Sequence, residues 1–148
     1  MSPAQEQFAR VKRYLARMEQ KVASDEGTDD MYSFFLHAWH LIDWAGNDPA
    51  VGRTYFQLKQ EVCIHFPHSI WLCADIADGS KHLVLTRPKP RDVPLPRRAI
   101  RMYAGNVRSS EASFSFEFPD GSIKDALTLA REVVANWEKL LTKYGLAV

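Results

Sequence analysis

Several familiar chemical devices are missing from this sequence. It has no glycine-rich phosphate loop, no G-x-S-x-G turn and no H-E-x-x-H helix, so the enzyme classes built on those motifs have no support. Cysteine is scarce: Cys63 and Cys73 lie in apolar segments and form no C-x-x-C pair. Reduced, buried thiols in a cytosolic protein are the simplest reading, with a disulfide between them as the alternative. No apolar run approaches the roughly 18 residues that a membrane-spanning helix needs. The N-terminal stretch MSPAQEQFARVKRYLARMEQK is charged throughout and lacks the apolar centre of a signal peptide. A cytoplasmic location and no membrane partner are the expectations. Net charge is only +1, so any argument for nucleic acid must rest on local clustering.

What is present reads as one helical domain. With 148 residues, 46% hydrophobic and 25% charged, the chain is long enough to bury a core and ordinary in composition. From Pro3 to about Lys21 the residues Phe8, Val11, Leu15, Met18 and Val22 recur at helical spacing. Arg10, Lys12, Arg13 and Arg17 occupy the remaining faces, either as a solvated surface or as an RNA contact. The polar break Ser24–Asp30 offers Thr28, Asp29 or Asp30 as a cap for the next helix. Met31 to Gly46 is apolar almost all round and predicts a central helix. Its Ser33, His37, His40, Asp43 and Asn47, joined by Trp44, form a polar stripe that needs partners on a neighbouring helix.

Asn47-Asp48-Pro49 ends that helix, and a short one follows from Val51 to about Val62. After Phe66-Pro67-His68, the stretch Ser69–Arg87 predicts a buried helix, with Ile70, Cys73, Ile76, Leu83 and Val84 inward. Asp75, Asp78 and His82 share one stripe of it at i, i+3 and i+7, with Lys81 beside them. These are the expected partners of the first polar stripe. Residues 88–97 are an extended, proline-rich connector; Arg87, Lys89, Arg91, Arg97 and Arg98 around it make the one notable basic cluster. Residues 98–118 predict a hairpin, because Phe114, Phe116 and Phe118 alternate with Ser113, Ser115 and Glu117. A capping box of Ser122 with Asp125 opens the last helix, 122–145, whose apolar stripe runs from Ala126 to Tyr144 before Gly145. The expected architecture is mainly α: a four- to five-helix bundle with a small antiparallel β-hairpin before the C-terminal helix.

The candidate chemistry is sparse. His37-x-x-His40-x-x-Asp43 fans across about 120°, which suits satisfied core polar groups better than a metal. Cys63-x-His65-x-x-His68 followed by Cys73 matches no standard zinc spacing. No cofactor and no metal are expected. Asp75, Asp78, Lys81 and His82 remain, as an acid–base and phosphate-binding set for metal-independent RNA cleavage or as a structural hydrogen-bond network.

FFLHAWHLIDW followed by WLCADIADGSKHLVL resembles bacterial helical proteins related to the HEPN superfamily (higher eukaryotes and prokaryotes nucleotide-binding), over roughly Met31 to Arg87. That resemblance implies a dimeric helical bundle; many members are ribonucleases of toxin–antitoxin and phage-defence systems, and others are non-catalytic. The family signature is an arginine, usually followed by a polar residue, with a histidine four to six residues beyond the arginine. His82 matches the histidine and Asp78 the polar residue, but Ala77 stands at the arginine position. Lys81 lacks the bidentate geometry of the absent arginine. What the resemblance implies is RNA binding or cleavage, with His82 as acid–base residue, Lys81 on the phosphate, and Asp78 and Asp43 as orienting carboxylates. His37, His40, Asp75 and the basic cluster would assist binding. The alternative is a non-catalytic protein-interaction module.

Overall fold

The computed structural model describes residues 1–20, 25–81, 101–104, 114–118 and 121–148. Among these, five helices and three short strands occur in the order α1 (Pro3–Gln20), α2 (Asp25–Gly46), α3 (Tyr55–His65), α4 (Ile70–Lys81), β1 (Arg101–Ala104), β2 (Phe114–Glu117), β3 (Ile123–Asp125) and α5 (Ala126–Lys143). The fold is a mainly helical bundle with an antiparallel hairpin before the last helix.

Helix α2 is the centre, in contact with each of the other four helices. Its Met31, Phe34, Phe35, Ala38, Leu41, Ile42 and Ala45 are fully buried. It begins at Asp25 rather than at Met31. Thr28, Asp29 and Asp30 therefore lie inside the helix and are not its caps. Helix α4 is more thoroughly enclosed than the periodicity implied: every residue from Ile70 to Ala77 is buried. Helix α5 presents Ala126, Leu129, Ala130, Val133, Trp137, Leu140 and Leu141 to the core. Trp137 donates its indole N–H to the Ala38 carbonyl of α2 at 3.0 Å, and Asn136 donates to the Ser69 hydroxyl at 2.8 Å.

Helix α3 starts four residues later than expected. Gly52 takes a positive φ of 64°, and Thr54 forms a capping box with Gln57 that fixes the start at Tyr55. The C-terminal start also differs. Ser122 belongs to the turn, where its carbonyl accepts from the Phe118 N–H at 2.8 Å, and Gly121 has a φ of 83°. Asp125 is the cap instead, accepting from the Thr128 N–H at 2.9 Å. Residues Ile123–Asp125 thereby become a third strand in the sheet order β1-β2-β3. Met102 pairs with Phe116, and Phe116 with Lys124. Phe116 packs edge-on against Phe35 at 5.4 Å between ring centroids, which seats the sheet on α2.

The chain ends are fastened to the same body. Asp48 accepts from the Ala4 N–H at 2.9 Å, and Gln5 donates to the Ala147 carbonyl at 2.6 Å. Glu61 of α3 accepts from both Lys143 and the Tyr144 hydroxyl.

Candidate functional site

The polar stripe of α2 finds its partners on α1. Gln7 of α1 is buried and donates from Nε2 to the His37 carbonyl at 3.1 Å. Its Oε1 accepts from Arg10 at 2.8 Å; an arginine can only donate, so this contact fixes which way the amide points. The same Nε2 lies 3.4 Å from His37 Nδ1, which suits the tautomer protonated on Nε2. Tyr14 stacks on the His37 ring at 5.1 Å with the planes 13° apart. The Arg17 guanidinium lies over the Tyr14 ring at 5.1 Å, and the Arg10 guanidinium over Trp44 at 5.6 Å. Arg17 also pairs with Asp30 at 3.8 Å.

Rings and cations thus alternate along the α1–α2 seam. The helical repeat explains the arrangement: Arg10, Arg13 and Arg17 at i, i+3 and i+7 share one stripe of α1, with Tyr14 and Gln7 at its inner edge. On α2, His37, His40 and Trp44 fall on one arc in the same way. Burial pushes the His37 imidazole below its ordinary pKa, and repulsion from Arg10 and His40 acts in the same direction. His37 is therefore neutral at pH 7. The Tyr14, His37, His40 and Trp44 side chains are all half-buried, so each ring keeps part of its surface in solvent.

Helix α4 packs on another side of α2. The two meet through Trp39 and Trp71, edge to face at 5.7 Å, and Trp39 sits about 200° round the helix from His37. Among the described residues, His37 pairs with Gln7 and Tyr14 of α1 rather than with the expected Asp75 and Asp78. Asp75 is buried at 8% exposure and Asp78 is half-buried; both are engaged by neighbours. Asp43 is exposed near the end of α2. Lys81 closes α4, but its side chain, together with His82, Arg87, Lys89, Arg91, Arg97 and Arg98, lies outside the described residues.

Other chemistry is quiet. Cys63 and Cys73 are free thiols, both buried, and burial raises the pKa of each, so neither is poised as a thiolate. His65 and His68 are exposed, away from any shared site with those sulfurs. Among the described residues, no three His, Cys, Asp or Glu side chains gather to hold a metal ion. A shallow depression of about 420 Å³ lies at the α2–α3 turn, but Asp48 and Thr54 on its wall are used in backbone capping. No described helix is long and apolar enough to cross a membrane.

Models of known families, characterised proteins and solved structures return no match to the chain.

Sequence reasoning missed Gln7 and Tyr14 as site residues and placed Trp44 only as a member of the α2 stripe. The signal was available in α1, where Tyr14 sits between Arg10 and Arg17 at i+4 and i+7, the spacing that lets rings and cations on one helix meet a shared neighbour.

Proposed function

We propose that this protein binds RNA, with the α1–α2 seam as a contact surface. The observation that carries this reading is the alternation of cations and rings along the seam: Arg10 over Trp44, Arg17 over Tyr14, and Tyr14 on His37. Guanidinium groups supply phosphate contacts, and the solvent-facing parts of half-buried His40 and Trp44 supply stacking surfaces, the pairing that single-stranded RNA recognition uses. The resemblance to HEPN-type bundles leads to the same ligand and extends the proposal to a dimer in a defence or toxin context.

Cleavage is the stronger form of the proposal. His82 would take the proton from a 2′-hydroxyl as that oxygen attacks the adjacent phosphorus and the P–O5′ bond breaks, giving a 2′,3′-cyclic phosphate and a 5′-hydroxyl that takes its proton from water, with Lys81 on the phosphate and Asp78 and Asp43 orienting. The proline-rich basic segment, from Arg87 to Arg98, would add backbone affinity. Incubation of the protein with structured and single-stranded RNA in excess EDTA tests this, beside a His82→Ala preparation shown to be folded. Cleavage by the wild type alone supports a metal-independent ribonuclease. Binding without cleavage by either protein reduces the function to RNA binding.

A second reading is favoured by one observation. Asp75 is buried and engaged, as a member of an internal network would be, and a network of that kind makes the protein a non-catalytic interaction module. On that reading His82→Ala lowers stability by about 1–3 kcal/mol, because it strands buried partners; a catalytic histidine leaves the melt unchanged.

A further inference from the structure

The geometry points to the Arg10–Arg13–Arg17 stripe of α1 as a track for the backbone of a single RNA strand, with bases turned toward the half-buried rings of the seam. This rests on the RNA-binding reading above and assigns it a place and a strand format. From Arg10 to Arg17 the stripe advances seven residue steps, about 10.5 Å along the helix axis. Phosphates advance about 3.4 Å per nucleotide along the axis of a stacked strand, so the stripe matches about three steps.

Two of the three arginines are already ordered. Arg17 lies over Tyr14 at 5.1 Å and pairs with Asp30 while its side chain stays 57% exposed. Arg10 is held by both Trp44 and Gln7. A guanidinium already in contact with neighbours is restrained before the phosphate arrives, so less side-chain freedom is lost on binding. The outer face of each guanidinium and the exposed parts of His40 and Trp44 remain to stack on bases. A duplex keeps its bases stacked inside and cannot use those faces, which favours the single strand. Glu6 lies in line with the stripe one turn before Arg10 and sets its N-terminal limit by repulsion.

The test compares two double variants of equal charge change in the full chain. Arg13→Gln/Arg17→Gln removes two cations of the stripe. Lys12→Gln/Lys139→Gln removes two exposed cations from other surfaces. All four side chains are exposed, but Arg17→Gln also removes the ion pair to buried Asp30, so a thermal melt establishes that both variants are folded at the assay temperature before binding is compared. Binding to a fluorescent twelve-nucleotide oligouridylate and to a twelve-base-pair RNA duplex is followed by anisotropy in EDTA from 50 to 200 mM salt. Three phosphate contacts contribute about −2 to the log–log salt slope on the single strand, roughly 20-fold of the weakening across that range, on top of whatever the 87–98 segment adds. The stripe variant should have a slope shallower than wild type by about 1.4, and the control variant should keep the wild-type value. Equal losses in both variants, or no loss in the stripe variant, would place the strand elsewhere and leave RNA binding standing. Duplex binding as tight as single-strand binding would overturn the strand format. A wild type that binds neither RNA removes this inference and the RNA-binding reading together.

Discussion

Replacing Asp48 tests how the bundle is fastened at the α2–α3 turn. Asp48 is only 3% exposed, yet its carboxylate is held by three donors: the Ala4 N–H at 2.9 Å, the Ala50 N–H at 2.9 Å and the Ser2 hydroxyl. It acts as a remote cap for α1, because the Ala4 N–H is one of the donors that the first turn of a helix leaves without an intrahelical partner. Burial opposes the charge, but the three hydrogen bonds outweigh it and hold the pKa below the ordinary carboxylate value. In Asp48→Asn one acceptor oxygen becomes a donor, so one of the two backbone bonds is lost and the other is no longer charge-assisted. Hydrogen bonds to charged groups contribute about 1.5–3 kcal/mol each, which sets a loss of about 2–3 kcal/mol at pH 7. For a chain of this length that is a melting temperature lower by roughly 4–12 °C. The pH dependence has a fixed sign. A carboxylate whose folded pKa is depressed contributes stability above its unfolded pKa and loses it as pH falls through the folded value. The gap between wild type and Asp48→Asn should therefore be constant from pH 8 to 6 and should narrow below about pH 4. Equal melting temperatures at pH 7, or a gap that persists undiminished to pH 2, would refute this account of the turn.

Gly46→Ala should destabilise the bundle by about 1–3 kcal/mol in urea unfolding, although alanine is the better helix former. A Cβ there would meet the Tyr55 backbone N and Cα at 2.7 Å; a variant as stable as wild type would show that α3 can move away freely. Cys73 is fully buried with its thiol pKa raised, so it should resist alkylation in the native protein and react only after unfolding. Labelling of native Cys73 at the rate of a free thiol would contradict its placement. His37 should titrate below pH 6.5 by NMR, and Arg10→Gln should move that midpoint upward by removing one of its repulsions. A midpoint at or above the ordinary value would show that the seam is open to water.

The helical class was legible because the periodic signals were long. In α1, Phe8 and Val11 are buried where the stripe placed them, with Leu15 and Met18 packed at the edge of the core. In α5 the stripe from Ala126 to Leu141 is buried almost residue for residue. The alternation around β2 survives in part: Phe116 and, just beyond the strand, Phe118 are buried on either side of half-buried Glu117, while Phe114 is no more buried than Ser115. Short signals failed. Three residues of β3 are too few to alternate, and Ser122 has the right chemistry for a cap yet is used by the turn. Thr54 and Gln57 did carry a capping box in the sequence, and recognising it would have moved the start of α3 to its place.

The site was harder to read than the fold, for a geometric reason. Periodicity tells which residues of one helix share a face, but it does not tell which neighbour covers that face. The two polar stripes, His37 with Trp44 on α2 and Asp75 with Asp78 on α4, each needed partners, and pairing them with each other was the economical solution on paper. The contact between α2 and α4 is made instead by Trp39 and Trp71. Trp39 is two residues from His37 and so about 200° away from it round the helix, which turns the His37 face toward α1. Once that one packing choice is known, the rest of the seam follows from α1 itself. Gln7, Arg10, Tyr14 and Arg17 lie at spacings of three and four, and Gln7, Arg10 and Tyr14 each carry a group that completes something on the opposing arc: an amide for the His37 carbonyl, a guanidinium for Trp44 and a ring for His37. These contacts join α1 to the His37 face of α2 and leave the exposed sides of Arg13 and Arg17 to solvent.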